Sequence, residues 1–326
     1  MLEAFVSQHT DLDIDFDFDT YLSYRRARLE ESLARYFSQG EPALLWEAMA
    51  YSVLSAGKRL RAMLVFAAAE AVYKDCPLKA SASGLDAIDA VMPLAAAIEM
   101  IHAMSLIHDD LPCLDNDDLR RGKPTNHKVY GEAMALLAGD GLLMLATESL
   151  IERTDRRVDR QNLLDVTRAM AHATGPSGMV GGQVKDMQFT GAADSKFDIA
   201  TVESIHAGKT GALIRFALWA PAKLLGASAE KCESLARLGE IIGLAFQITD
   251  DLLDVTGDAT TLGKTPGKDE ATQKATWVRA IGVDGARAKL KEMEAEGQNL
   301  IEQNSLDNTA APILRSLLSY SIHRDK

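Results

Sequence analysis

The chain has little proline, 9 residues in 326, and few β-branched runs that alternate with polar residues. Proline breaks helices and alternation marks half-buried strands, so the scarcity of both excludes a β-rich or loop-rich fold. Cysteine is scarce too. Cys76, Cys113 and Cys232 show no CxxC spacing, which excludes a disulfide framework and leaves reduced thiols. Cys113 is expected to be a small packed residue rather than a nucleophile. Positive charge is also lacking: 35 Lys and Arg stand against 47 Asp and Glu, a formal charge of −12. That balance argues against bulk binding to nucleic acid. No apolar run approaches the length expected of a bilayer span. The acidic beginning DLDIDFDFD is unlike an Arg-rich transit peptide or a signal peptide, so the expectation is a soluble, cytoplasmic enzyme.

What is present is an apolar content of 47%, in runs rich in Ala, Leu and Met. That pattern predicts an all-α class built around a large core. No Pro/Ser/Gly linker divides the chain, so residues 1–326 are expected to form one domain, with 1–16 as a poorly ordered acidic lead. From Phe16 to Phe37 apolar residues recur at helical spacing (Tyr21, Leu22, Leu29, Leu33, Tyr36) and predict an amphipathic surface helix. Further helices are expected over about 42–54, 86–111, 128–153, 158–174, 201–225, 285–302 and 310–322, with one more ending near residue 254.

The densest chemistry lies in HAMSLIHDDLPCLDNDDLRRGKPT, His102 to Thr125, where Asp109, Asp110, Asp115, Asp117 and Asp118 precede Arg120 and Arg121. Carboxylates this close repel one another unless cations lie between them, and hard oxygen ligands suit Mg²⁺ or Mn²⁺ better than zinc. The arginines suit phosphate. Asp109 and Asp115 are six residues apart and would diverge on a continuous helix. Pro112 bends or ends the helix and lets Asp115 swing back. A second cluster, FQITDDLLD, places Asp250 and Asp254 four apart on one helical face with Asp251 flanking. Both clusters sit near helix C-terminal ends, where the dipole disfavours anions, which strengthens the case for bound cations.

Basic residues complete the pattern. Gly57 breaks a helix, and Lys58, Arg59 and Arg61 follow at once, an arrangement suited to a diphosphate at a helix start. His102 lies two turns before Asp109 on nearly the same face, and Met104 lies five residues before it. Gln183 and Asp186 follow a glycine-rich stretch that allows close helix packing or a bend at a ligand. Lys209 and Thr210 follow Gly208 without the GxxxxGK[ST] pattern of a nucleotide loop. The loop GDATTLGKTPGKDEATQK is long enough for a lid, with Lys264, Lys268 and Lys274 available to close over phosphate. The two clusters resemble each other, each an apolar helix, an Asp pair, a third Asp and then Gly-Lys, which suggests two helices facing across a cavity. Carboxylate arms, a cationic fringe and an apolar interior describe a site for a molecule that is diphosphate at one end and hydrocarbon at the other.

DDxxxxD followed by RRGKPT, and later FQxxDDxLD, resembles the short-chain trans-prenyl diphosphate synthases of the farnesyl and geranylgeranyl type, from AGKRLR to the basic tail. The resemblance implies a single large helical bundle around a central cavity, a homodimer, and Mg²⁺-dependent condensation of isopentenyl diphosphate with an allylic diphosphate (dimethylallyl, geranyl or farnesyl). It implies Asp109 and Asp115 as metal ligands on one arm with Asp110 in support, and Asp250 on the other with Asp251 and Asp254 assisting. Gln183 and Asp186 match the family's GQxxD element near the metals. Arg120, Lys209, Thr210, Gln247, Lys264 and Lys274 would hold the allylic diphosphate. Gly57, Lys58, Arg61, His102 and Arg121 would hold isopentenyl diphosphate. In the family the released diphosphate takes the proton, so no side-chain base is required. One departure is visible: the family usually reads GKRxRP, and Ala62 stands here in place of proline, which implies a less rigid turn. Farnesyl synthases with this spacing typically carry an aromatic residue where Met104 stands, followed here by Ser105. That difference points to a C20 product with C15 as the alternative. Met134, Leu137 or Met144 on the next helix could also shape the pocket floor. A class I terpene cyclase would lack the second Asp-rich motif, and a catalytically silent subunit would have lost one arm.

Overall fold

The computed structural model describes residues 17–74, 76, 86–190, 198–256, 274–303, 306 and 310–324. The expected lead over residues 1–16 and the expected lid with Lys264 and Lys268 lie outside the described residues. The first helix, α1 (Phe18–Tyr36), starts behind Asp17, whose carboxylate accepts the Asp19 N–H and so satisfies one of the unpaired amides of the first turn. Its buried face carries Leu29, Leu33 and Tyr36. Tyr21 and Arg25 on α1 both bond Glu70 of α3, the hydroxyl at 2.7 Å. That latch holds the amphipathic helix to the core.

Next come α2 (Ala43–Val53), α3 (Leu60–Tyr73) and α4 (Ala87–Asp109). The last two are apolar around their whole circumference and buried accordingly, as helices in the middle of a large protein must be. A short α5 (Asn126–Tyr130) leads to α6 (Glu132–Arg153). The sequence suggests one helix over 128–153; Gly131, at φ 85°, turns the chain between the two, a conformation that favours glycine. Then follow α7 (Arg160–Thr174), α8 (Met179–Phe189) and α9 (Ile199–His206). The chain passes through a wide π-type turn, Ala207–Gly211, directly into α10 (Ala212–Leu224). Finally come α11 (Ala229–Thr256), α12 (Trp277–Gln303) and α13 (Ala311–His323). α12 begins eight residues before the expected Gly285, with a break at Gly282 (φ 75°). The buried Asp251 carboxylate accepts the Trp277 N–H at 2.7 Å and supplies from a distant helix the acceptor a helix start requires.

One contiguous hydrophobic core joins these helices. Small residues of α6, Ala135, Ala138, Gly139 and Ala146, are buried where it packs on α4. α10 is the central helix, with α3 and α4 on one side and α11 on the other; α12 and α13 back α11. Two helices contradict the expectation that no apolar run reaches membrane length: α4 and α6 are long and apolar enough to cross a bilayer. In α4 that stretch is 78% buried in the core, which accounts for its apolarity. On α6 the outer face leaves Leu136, Leu137, Met144 and Ile151 exposed.

The only strands among the described residues form a two-stranded hairpin, β1 (Leu119–Arg120) against β2 (Lys123–Pro124), antiparallel with Arg120 opposite Lys123. Its loop is Arg121 and Gly122, at φ 52° and 76°, the left-handed pair that a tight two-residue hairpin uses.

Candidate active site

The end of α4 builds the first arm. Asp109 is the last helical residue, and the Asp110 N–H closes the helix on the Leu106 carbonyl at 3.1 Å. The chain then doubles back, so that the Asp115 N–H donates to the Asp109 carbonyl at 2.8 Å. The return inferred from Pro112 is therefore present, with the helix ending just before the proline. Cys113, expected to be packed, is exposed on this turn, because the doubling back carries it to the outside. All three cysteines are free.

Burial pushes the Asp109 carboxyl above the ordinary carboxylate range; Lys209 opposes the shift, and the Asp115 and Asp110 charges add to it. Asp110 is also raised by burial, against its bond to Arg120. The hairpin aims Arg120 back at this arm, where it bonds Asp110 and lies 3.4 Å from Asp117. Asp118 faces away and pairs with Lys128 at 2.7 Å on the surface.

α8 and the π-type turn form the second wall. Gly182 lies so close to the turn that a Cβ there would fall 2.0 Å from the Lys209 nitrogen. The glycine-rich stretch therefore serves close packing. The Lys209 ammonium reaches Asp186 at 2.6 Å. Burial works against the Lys209 charge but is outweighed by Asp186 and Asp109, which raise its pKa. Thr210 is buried beside it. Gln183, one turn before Asp186, has a buried Oε1 with no hydrogen-bond partner.

The third element is the end of α11. Asp250 is its open carboxylate. The Gln247 amide donates to it at 3.4 Å, and Arg324 pairs with it at 2.8 Å. Asp251 and Asp254, beside it in sequence, are both buried. Asp251 is engaged by Trp277 and lies 3.9 Å from His206. Burial depresses the His206 imidazole to about 4, so it is neutral near pH 7. Lys274 lies three residues before Trp277. Arg324 was not singled out in the sequence, where HRDK reads as a plain basic tail. Its guanidinium stacks 3.6 Å from the centre of the Phe246 ring and donates to the Phe246 carbonyl at 2.8 Å.

A cluster of cations gathers around His102, where the loop before α3 meets α4 and the hairpin. Arg121 Nη1 donates to the Ala56 carbonyl at 3.0 Å, and a Cβ on Gly57 would fall 2.5 Å from that same nitrogen. Burial pushes the His102 imidazole well below 6.5, reinforced by Arg61, Arg121, Arg59 and Arg120. It is therefore a neutral ring among arginines. Burial lowers the Arg61 guanidinium as well; Glu99 opposes that shift, and so does Asp250. Lys58 is exposed, 5.6 Å over the Tyr320 ring. Arg59 does not belong to this set. Its side chain is buried and turned inward to Glu99 at 3.3 Å, so one of the three cations grouped in the sequence faces the core. On α4, Met104 is buried at 4% exposure and the Ser105 hydroxyl donates to the His102 carbonyl. Leu137 and Met144 face outward, and Met134 packs against the core from the rim, so neither of the first two floors a pocket within this chain.

Among the described residues no three His, Cys, Asp or Glu side chains already converge on one point. Asp110, Asp186 and Asp250 are instead turned to Arg120, Lys209 and Arg324. In kind the donors fit a hard divalent cation: crowded carboxylates and an unpartnered amide oxygen, with no soft ligand turned among them. Cavity size does not mark the site. A space of about 780 Å³ opens on the other side of the π-type turn, around Trp219 and the Arg215, Arg237 and Glu240 side chains, and none of the aspartates of either cluster lines it.

The family described as polyprenyl synthetase matches residues 42–310. A farnesyl diphosphate synthase of Geobacillus stearothermophilus is 40% identical over 94% of this chain and 98% of its own. A chloroplastic geranylgeranyl pyrophosphate synthase of Capsicum annuum is 41% identical over 95% of this chain and 79% of its own. The solved structure of an FPP/GFPP synthase from Zymomonas mobilis superimposes with a TM-score of 0.79 at 34% identity, over 94% of this chain and 98% of that one. The helical architecture, the two aspartate arms and these likenesses agree, and the chain belongs to the polyprenyl synthetase family as a short-chain trans-prenyltransferase.

Proposed function

We propose that this enzyme condenses isopentenyl diphosphate with dimethylallyl, geranyl and farnesyl diphosphates and releases the C20 product, geranylgeranyl diphosphate. Relatives named for C15 and for C20 are equally similar, so overall likeness does not choose between them. Met104 carries the choice. It is buried on α4 five residues before Asp109, about 7.5 Å down the helix axis from the first arm. Its side chain is thinner and more flexible than an aromatic ring and leaves room for roughly one further turn, about 5.4 Å, close to one isoprene unit.

Asp109 and Asp115 on one arm and Asp250 on the other would hold Mg²⁺, with Mn²⁺ as a substitute; Asp110, Asp251 and Asp254 support those arms from behind. Bound there, the metal supplies charge neutralisation for the departing diphosphate. Arg120, Lys209, Thr210 and Gln247 hold the allylic diphosphate, with Lys274 at the edge, Asp186 fixing Lys209 and the unpartnered Gln183 amide oxygen beside them. Lys209 and Arg120 are anchored before the reaction, so they stabilise charge on the leaving group without reorganising. Gly57, Lys58, Arg61, His102 and Arg121 hold isopentenyl diphosphate. A neutral His102 donates one N–H there without adding charge among the arginines. The apolar walls of α3, α4 and α10 keep water from the allylic cation. The outward Leu136, Leu137, Met144 and Ile151 of α6 support a homodimer paired through that face.

Purified protein with Mg²⁺, isopentenyl diphosphate and, separately, C5, C10 or C15 starters tests the proposal by mass spectrometry of the products. C20 from all three is expected, and Met104→Phe is expected to shift the end product to C15. Refusal of the C15 starter by the unmutated enzyme, or C20 still dominant in Met104→Phe, would overturn the chain-length assignment.

A further inference from the structure

α3 begins in an unusual way. Its N-cap residue is Arg59, at φ 54°, and no side chain of the cap itself accepts a bond from the first turn. An arginine has no acceptor to offer. The acceptor comes from Glu99, a carboxylate only 3% exposed in the middle of α4. Its Oε1 takes the Ala62 N–H at 3.3 Å, and its Oε2 takes Arg59 Nη1 at 3.3 Å. Where the related motif carries proline there is no N–H to accept, so Ala62 creates a donor that Glu99 uses here. An anion at a helix N-terminus is also favoured by the dipole.

The other guanidinium nitrogen of Arg59 donates to the Val53 and Ser55 carbonyls at 2.8 and 3.1 Å, at the end of α2. Arg59 thus clamps both sides of the Ala56-Gly57-Lys58 loop, and Arg121 rests on that loop through the Ala56 carbonyl. Glu99 lies three residues before His102 on the same helix face. A buried carboxylate is costly unless paired, and this one faces three arginines, of which only Arg59 bonds it directly.

We propose that Glu99 is a positioning residue of the acceptor pocket: through Arg59 and the first turn of α3 it sets the loop that presents Gly57, Lys58 and Arg61 beside His102 and Arg121. The proposal rests on the assignment of that pocket to isopentenyl diphosphate. It separates the two substrates, because the allylic residues Lys209 and Arg120 are anchored elsewhere, by Asp186 and Asp110.

The test is Glu99→Gln, measured by steady-state kinetics with each substrate varied in turn and by calorimetric binding of isopentenyl diphosphate alone, which does not react without a starter. The expected result is a rise of tenfold or more in the KM and Kd for isopentenyl diphosphate, with the allylic KM within twofold. Equal changes in both KM values, or none, would overturn the proposal, since a general loss of structure does not discriminate between substrates. If Glu99→Gln yields no folded protein, Ala62→Pro carries the test. It removes the N–H that Oε1 accepts at a first-turn position that tolerates proline, and at least a threefold rise in the isopentenyl diphosphate KM alone is expected. No rise there would overturn the proposal. Arg61→Ala distinguishes the two levels: if it leaves the isopentenyl diphosphate KM unchanged, the assignment of the pocket fails rather than the role of Glu99.

Discussion

Replacing Gly182 with alanine sets two effects of opposite sign against each other. Inside α8 the change should stabilise the helix by about 0.5–1 kcal/mol through backbone entropy. A Cβ at that position, however, lies 2.0 Å from the Lys209 nitrogen, 2.5 Å from the Gly208 carbonyl carbon and 2.6 Å from the Lys209 Cα. All three are backbone atoms with no rotamer to escape into. Bringing the shortest contact to 3.0 Å, below which real Cβ atoms essentially never lie, requires α8 and the π-type turn to part by about 1 Å. Overpacking of this kind costs about 1–3 kcal/mol, so the clash outweighs the entropic gain and the protein loses about 1–2 kcal/mol. The larger effect falls on activity, because the displaced atoms carry Lys209, which reaches Asp186 at 2.6 Å. Misplacing a positioning group by 1 Å costs about 100-fold. Gly182→Ala is therefore expected to lower kcat/KM about 100-fold while thermal unfolding shifts down only modestly. Gly285→Ala is the control, since its Cβ would meet only the Ile281 side chain at 3.1 Å, and it should unfold at or above the unmutated temperature. A Gly182→Ala protein with unmutated stability and activity within twofold would refute the reasoning.

Three further outcomes follow from the same geometry. Arg324→Met removes the cation that competes for Asp250 and should at least halve the Mg²⁺ concentration needed for half-maximal activity; an unchanged Mg²⁺ titration would exclude that competition. Leu137→Glu with Met144→Glu places charge on the apolar outer face of α6 and should convert a dimer to monomer in sedimentation; a dimer that survives the change pairs through another surface. His206 governs part of the acid stability. Burial holds its imidazole at about 4, below the ordinary histidine value of 6.5, so its contribution is complete above pH 6.5 and is lost as pH falls toward 4. The slope approaches about 1.4 kcal/mol per pH unit within that window. Unfolding midpoints at pH 7 and 5 should differ less in His206→Gln than in the unmutated protein; an equal difference would assign the acid sensitivity elsewhere.

Much of this was legible because it depends on neighbours in the chain. Helical class follows from composition and from apolar spacing, and the buried α4 announces itself by lacking a polar face. Pro112 foretells the return of Asp115, since a proline constrains its own and the preceding residue. The hairpin at Leu119–Pro124 escaped notice because two-residue strands are too short to show a period, and its loop pairs glycine with arginine rather than with asparagine or aspartate. The π-type turn at Lys209 left no sign either, since one additional residue in a helical turn alters no motif.

By itself the sequence determined most of the helices, the two carboxylate runs and the kind of ligand they suit, because periodicity, proline geometry and the hardness of oxygen donors act over a few residues. It could not determine which of several adjacent like charges faces the site. Lys58, Arg59 and Arg61 look alike in the chain, yet Arg59 turns inward to Glu99, 40 residues away. Asp250 and Asp251 are neighbours, yet Asp251 is drawn inside by the Trp277 amide, 26 residues on. A charged group leaves water only where a partner awaits it, and the partner's position is a property of the packed helices, so the tertiary structure alone made those choices.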